Sequence, residues 1–200
     1  MLKKLIALQF KKPSGLFGIF SSNIMIRGNM SSYHKLIENL EIKPNEKVLE
    51  IGYGQGIGIS LLAEMYPSSI IHGVDFSRLM YKRATKRNKK YIDEKKVKLI
   101  YGNFLATNLN DNDYDKIFCI NVVYFWDQLQ PPFRKIWSVL KNGGSFHMFM
   151  AKREMLIEKK APDEVFNKYS IEQIVEALKI SGFGEVNYDF DKGYYVKAKK

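Results

Sequence analysis

The stretch Val48-Leu-Glu-Ile-Gly-Tyr-Gly-Gln-Gly-Ile-Gly58 decides the fold. Residues 47–51 read as a short buried strand and residues 57–65 as a helix, so the glycines fill a strand-to-helix turn. Glycines there let the backbone turn sharply and approach a ligand with no Cβ in the way. The helix that follows offers its N-terminal amides to a polar or anionic group. A dinucleotide fingerprint would read G-x-G-x-x-G. From Gly52 that pattern needs glycine at 57 and meets Ile57; from Gly54 it needs glycine at 59 and meets Ile59. The spacing is instead E-x-G-x-G-x-G, from Glu50 to Gly56. The glycines alone leave several nucleotide-like ligands open.

Outward from this turn, strand and helix signals alternate. Upstream, Tyr33, Leu36, Ile37 and Leu40 recur at helical spacing, with Ser32 read as the N-cap. Downstream, residues 69–75 read as a second strand, and Ser77 caps a basic helix whose inner stripe is Met80, Ala84 and Tyr91. Residues 97–101 and 115–120 are the third and fourth strands. A helix carrying Phe133, Ile136, Trp137 and Leu140 follows, with Gly143 read as its C-terminal cap. Residues 145–151 are the fifth strand, Ser170-Ile-Glu-Gln173 is a capping box opening a helix that ends near Gly182, and two short strands have the length of a hairpin. The pattern implies a doubly wound α/β fold: a mostly parallel seven-stranded sheet, helices on both faces, and a C-terminal antiparallel hairpin. A ligand is expected at the carboxyl ends of the first and fourth strands. Residues 1–30 and 152–169 fit the alternation least and are candidates for covering the site.

The chain has 200 residues, 46% of them apolar, enough for one core. Its single cysteine, Cys119, rules out a disulfide framework and reads as a buried mid-strand residue. No metal site is expected. No apolar run approaches a membrane span. The N-terminal Met1-Leu-Lys-Lys-Leu-Ile-Ala-Leu-Gln-Phe-Lys-Lys12 lacks a cleavage site and reads as a short mature helix; a surface-lying anchor is the alternative. The cytoplasm is the simplest setting. A net charge of +11 is compatible with acidic substrates, nucleic acid or an anionic membrane.

The glycine motif, followed 23 residues past Gly52 by Asp75, resembles the class I S-adenosylmethionine methyltransferases over most of residues 45–200. The resemblance implies a Rossmann-like fold, S-adenosylmethionine as cofactor and methyl transfer as the activity. It implies a cofactor site of Glu50, Gly52, Tyr53, Gly54 and Gly56, with Asp75 on the ribose diol and Phe76 beside the adenine. Asn103 and Phe104 follow the third strand, where many relatives carry Gly-Asp; the Asn103 amide oxygen can still accept from the adenine amino group. Asn121, in a stretch resembling the family's fourth motif, is placed near the methionine part. Residues 31–200 form the methyltransferase domain on this reading, and residues 1–30 an N-terminal extension or lid.

A methyl donor of this kind is already activated, so the protein mainly positions and desolvates the acceptor. No catalytic constellation is visible. Tyr124 and Trp126 are candidates for shaping the acceptor pocket, and His34 is the one histidine worth testing as a base. His72 and His147 fall inside strands and read as structural. The acceptor is expected to be a small organic molecule. The alternatives are a nucleic-acid methyltransferase and a non-catalytic binder of the cofactor. Asn121-Val-Val-Tyr124 lacks the prolines of the base-amine methyltransferases, and the basic run from Arg78 to Lys90 lies on the adenosine side, so specific nucleic-acid binding is not expected. Oligomeric state is open.

Overall fold

The computed structural model describes residues 2–15 and 30–200. In chain order the elements are α1 (Leu2–Lys11), α2 (residues 30–39), β1 (Lys47–Ile51), α3 (Ile57–Met65), β2 (Ile70–Asp75), α4 (Arg78–Arg87), α5 (Lys89–Asp93) and β3 (Val97–Tyr101). They continue with β4 (Tyr114–Ile120), α6 (Gln130–Val139), β5 (Leu140–Met150), α7 (Arg153–Glu158), α8 (Ile171–Ile180), β6 (Glu185–Phe190) and β7 (Tyr194–Lys199). Single 3₁₀ turns follow β3 and β4.

The seven strands form one sheet in the order β3-β2-β1-β4-β5-β7-β6. The first five pair in parallel; β7 runs antiparallel between β5 and β6. Strand side chains alternate between faces, and the core divides accordingly. Leu49, Ile117, Phe146 and Val196 pack with α6 and α8 on one face. Val48, Ile71, Phe118 and Tyr195 pack with α2, α3 and α4 on the other. The order reverses between β1 and β4, and the loops at their carboxyl ends diverge there to leave a crevice.

The expected caps hold at two helices. Ser77 Oγ accepts from the Met80 amide, and Ser170 with Gln173 forms the full capping box. Two others were misplaced. Helix α2 already includes residues 30–32, so Ser32 lies inside it, buried, and is not its N-cap. Helix α6 ends at Val139 and β5 begins at once, so Gly143, with φ of 77°, is a bend at the start of the strand rather than a helix cap. The basic helix is in two pieces broken at Asn88, and Tyr91 is only partly buried.

The N-terminal helix is present as α1. Of the expected lid, residues 16–29 lie outside the described residues. Residues 152–169 do not reach the crevice. They brace it from behind: Asn167 Nδ2 donates to the Trp126 carbonyl at 2.9 Å, and Tyr169 donates to the same carbonyl at 2.8 Å. Among the described residues, no helix is long and apolar enough to cross a membrane.

Candidate functional site

The crevice encloses about 290 Å³, near the lower end of the small-ligand range. One wall is the turn after β1, with Gly52, Tyr53, Gly54 and Gln55. The other is the segment after β4, with Asn121, Val122, Phe125, Trp126 and Asp127. The end of β2 contributes Asp75 and Phe76, and the turn after β3 contributes Asn103 and Phe104. Tyr33 of α2, Lys11 at the end of α1 and Pro13 just beyond it also line it.

The three motif glycines do different work. Gly54 faces the crevice: it has φ of 52°, and a Cβ there would meet nothing within 4 Å. Gly52 lets the two walls approach, since its Cβ would stand 2.5 Å from Val122 Cγ2. Gly56 does not line the crevice. It allows α3 to sit on α4, where a Cβ would be 2.5 Å from Asn88 Nδ2 and 2.8 Å from Ala84 Cβ.

Asp75 ties this turn together. Its Oδ2 accepts from the Gly54 amide at 2.9 Å and its Oδ1 from the Ser77 amide at 2.8 Å. Burial raises its pKa to about 6, against the pull of those two amides. An ionised carboxylate has about four acceptor sites, so two remain for hydroxyl donors in the crevice. That is the acceptor set a ribose diol requires, and an open Gly54 beside it leaves the backbone bare. The residues present therefore fit an adenosyl group.

Glu50 lies outside the crevice. It is fully buried beneath α3, where Tyr33 donates to its Oε1 at 2.9 Å and its Oε2 has no hydrogen-bond partner. Burial raises its pKa to about 8, only partly offset by the Tyr33 bond. Gly58 makes room for this pair: a Cβ there would be 2.6 Å from both Glu50 Oε2 and Tyr33 Cε1. A strand's alternation turns Glu50 toward α2, away from the ligand end.

Other expected residues divide similarly. Trp126, Asn121, Tyr53, Phe76, Asn103 and Phe104 do line the crevice. The Asn103 oxygen already accepts from the Leu105 amide, capping the 3₁₀ turn. Tyr124 does not line it. Its hydroxyl donates to Asn121 Oδ1 at 2.9 Å and accepts from the Ala151 amide, so it holds the wall rather than forming its surface. His34 is exposed, one position round the helix from inward-facing Tyr33, and lies outside the crevice. His72 and His147 are structural, paired with Tyr114 and Ser145. Sequence reading missed Tyr33, Gln55, Val122, Lys11, Pro13 and Asp127. Tyr33 had a usable signal, its place on the helical stripe, but that stripe reads equally as core. Among the described residues no cluster could hold a metal ion.

Residues 48–144 match the methyltransferase domain family. The uncharacterised methyltransferase YdaC of Bacillus subtilis is 28% identical over 167 residues, which cover 84% of this chain and 87% of that one. The domain match and this relative support a class I S-adenosylmethionine-dependent methyltransferase. Its fold is shared with a methyltransferase of Aquifex aeolicus dependent on the same cofactor (TM-score 0.69, 22% identity, 83% of this chain and 88% of that one). It is shared also with phosphoethanolamine N-methyltransferase 2 of Haemonchus contortus, bound to phosphomonomethylethanolamine and S-adenosylhomocysteine (TM-score 0.70, 23% identity). The match covers 80% of this chain and 38% of that longer enzyme. The methyltransferase match supports S-adenosylmethionine as the cofactor, and the sheet is the seven-stranded Rossmann-like frame that these structures share.

Proposed function

We propose that this methyltransferase acts on a small organic acceptor in the cytoplasm. The observation that carries the reading is the aromatic wall of the crevice, where Phe125 and Trp126 follow Asn121 and Val122. Such a wall suits a flat or partly apolar molecule. The Haemonchus enzyme's small bound acceptor supports the same reading.

The cofactor supplies an activated methyl group open to direct displacement. The chain's residues do the rest by position. Asp75 accepts from the ribose diol, Gly54 admits the cofactor backbone-close, Phe76, Asn103 and Phe104 flank the adenine, and Asn121 stands at the methionine end. Gly52 and Tyr53 shape the turn around it. Lys11 and Pro13 cover the adenosine half, consistent with residues 1–30 serving as an extension over a domain spanning 31–200. Phe125 and Trp126 hold the acceptor and exclude water.

Tyr33 is a poor base. Its hydroxyl already donates to Glu50, and burial holds its pKa well above the usual tyrosine range. The acceptor accordingly takes no help from Tyr33 in losing a proton.

The deciding experiment offers labelled S-adenosylmethionine with either a small-molecule extract or bulk RNA and DNA, at physiological salt. Label is expected in the small-molecule fraction alone. Stoichiometric labelling of one RNA site would replace this reading with a nucleic-acid one.

A further inference from the structure

The charge of this protein is not spread over its surface. Residues 1–37 hold six lysines or arginines and no carboxylate, and residues 76–92 hold seven and none. The remaining residues carry nineteen basic and twenty-one acidic side chains, so the whole net charge of +11 belongs to these two segments.

The fold brings the two together. Ser77 Oγ donates to the Pro13 carbonyl at 2.9 Å in a buried contact, and Lys12 Nζ lies 5.8 Å from the centre of the Phe76 ring. The end of α1 therefore sits against the start of α4. Along α4, Arg78, Lys82 and Lys86 recur every four residues and form one exposed ridge. Arg87, Lys89 and Lys90 extend it, and among the described residues only Lys89 of these makes an ion pair, with Asp93. The ion pairs made by Asp113 and Asp115 lie instead near the start of β4, at the opposite end of the parallel strands.

Apolar side chains border the same cations. Leu8 of α1 is 40% exposed beside Lys12, and Tyr101 is 51% exposed, its ring 5.9 Å from Tyr81 of α4. A polyanion such as nucleic acid satisfies lysines but gains nothing from an exposed leucine. A lipid surface takes both, with headgroup phosphates on the cations and leucine and tyrosine at the acyl boundary.

We propose that α1 and α4 form a docking face for an anionic phospholipid bilayer. Lys11, Pro13 and Phe76 belong both to the crevice and to these segments, so the docked protein presents the rim of its crevice to the lipid surface.

The test is flotation of the full chain with vesicles. Binding is expected to vesicles of phosphatidylcholine doped with phosphatidylglycerol and not to phosphatidylcholine alone, and to weaken as salt rises. Lys82→Glu with Lys86→Glu should lower partitioning by roughly tenfold or more, and Leu8→Ser should lower it independently. Both variants should keep wild-type S-adenosylmethionine affinity by calorimetry and wild-type melting. Should the charge reversal fail to fold, Lys82→Gln with Lys86→Gln takes its place, with a smaller loss. Equal flotation on neutral vesicles, no flotation, or variants that float like the parent would overturn the proposal. So would single-stranded RNA that strips the protein from vesicles at physiological salt at equal phosphate concentration. Cofactor binding is read separately, so failure of docking leaves the methyl-transfer reading intact.

Discussion

At the scale of single residues, the proposed cofactor site rests on Asp75 and Gly54. Asp75→Asn keeps one acceptor oxygen and removes the charge. Hydrogen bonds to a charged group contribute about 1.5–3 kcal/mol, so S-adenosylmethionine affinity should fall about tenfold or more by calorimetry. Because burial raises the Asp75 pKa to about 6, the carboxylate is ionised above that pH and protonated below it. Parent affinity should drop as pH falls through about 6, and the Asn variant should lose that dependence. Equal affinities at pH 8 would remove Asp75 from the ribose. Gly54 and Gly56 separate function from packing. Gly54→Ala adds a Cβ into open space at a left-handed φ, costing about 1–2 kcal/mol of backbone strain, while cofactor binding is lost. Gly56→Ala drives a Cβ into Asn88 and Ala84 and should cost more stability. Melting and calorimetry together distinguish the two. The places of Asp75 and Gly54 at the crevice were legible, because a strand end and a glycine turn follow from local backbone pattern. The sequence did not reveal that Glu50 and Gly56 turn away from the crevice. That depends on which neighbours the strand and helix meet, and a motif's spacing does not encode its neighbours.

At the scale of elements, the segment after β4 is shaped from outside the crevice. Asn167 satisfies the Tyr124 and Trp126 carbonyls, through its amide at 2.8 Å to the first and its side chain at 2.9 Å to the second. Asn167→Ala should cost about 1–2 kcal/mol in urea unfolding. It should raise KM for the acceptor while the cofactor Kd stays fixed, because only the aromatic wall loosens. A matching loss of cofactor affinity would show that the two walls move as one. Element order, strand existence and the caps at Ser77 and Ser170 were legible, since each rests on periodicity or a local hydrogen bond. Ser32 and Gly143 were misread for one reason: cap residues also occur inside helices and at strand bends, and only the chain's actual path decides. Tyr124 was misassigned because an aromatic at a strand end serves as wall or as brace, and Ala151, which fixes the choice, is 27 residues away.

For the whole molecule, burial of Glu50 makes stability depend on pH. In the unfolded chain this carboxyl ionises near 4.5, whereas in the folded protein it keeps its proton to about 8. Its contribution to stability is full below the lower value and is lost as pH rises toward the upper one, by at most about 1.4 kcal/mol per pH unit. The corresponding loss from Asp75 ends near pH 6. His72 and His147, whose pKa values are lowered by burial, act below their unfolded value of 6.5. Urea midpoints measured from pH 6.5 to 8 therefore isolate Glu50. The parent should lose stability across that range and Glu50→Gln should not; parallel slopes would refute the buried neutral carboxyl. The fold class was readable at this scale, but the approach of the end of α1 to the start of α4 was not, since the two meet only through tertiary contact. The strand order has a further consequence for how the chain assembles and comes apart. Strands β1 to β3 come from residues 47–101 and β4 to β7 from residues 114–199, and in the sheet the two halves join by the β1–β4 pairing, from Val48 opposite Lys116 to Ile51 opposite Cys119. Such a distant pairing is slow to close. The crevice straddles that seam, with Gly54 and Asp75 on one side and Asn121 and Trp126 on the other. A bound ligand acts as a staple across it, so resistance to protease should follow how often the crevice is filled.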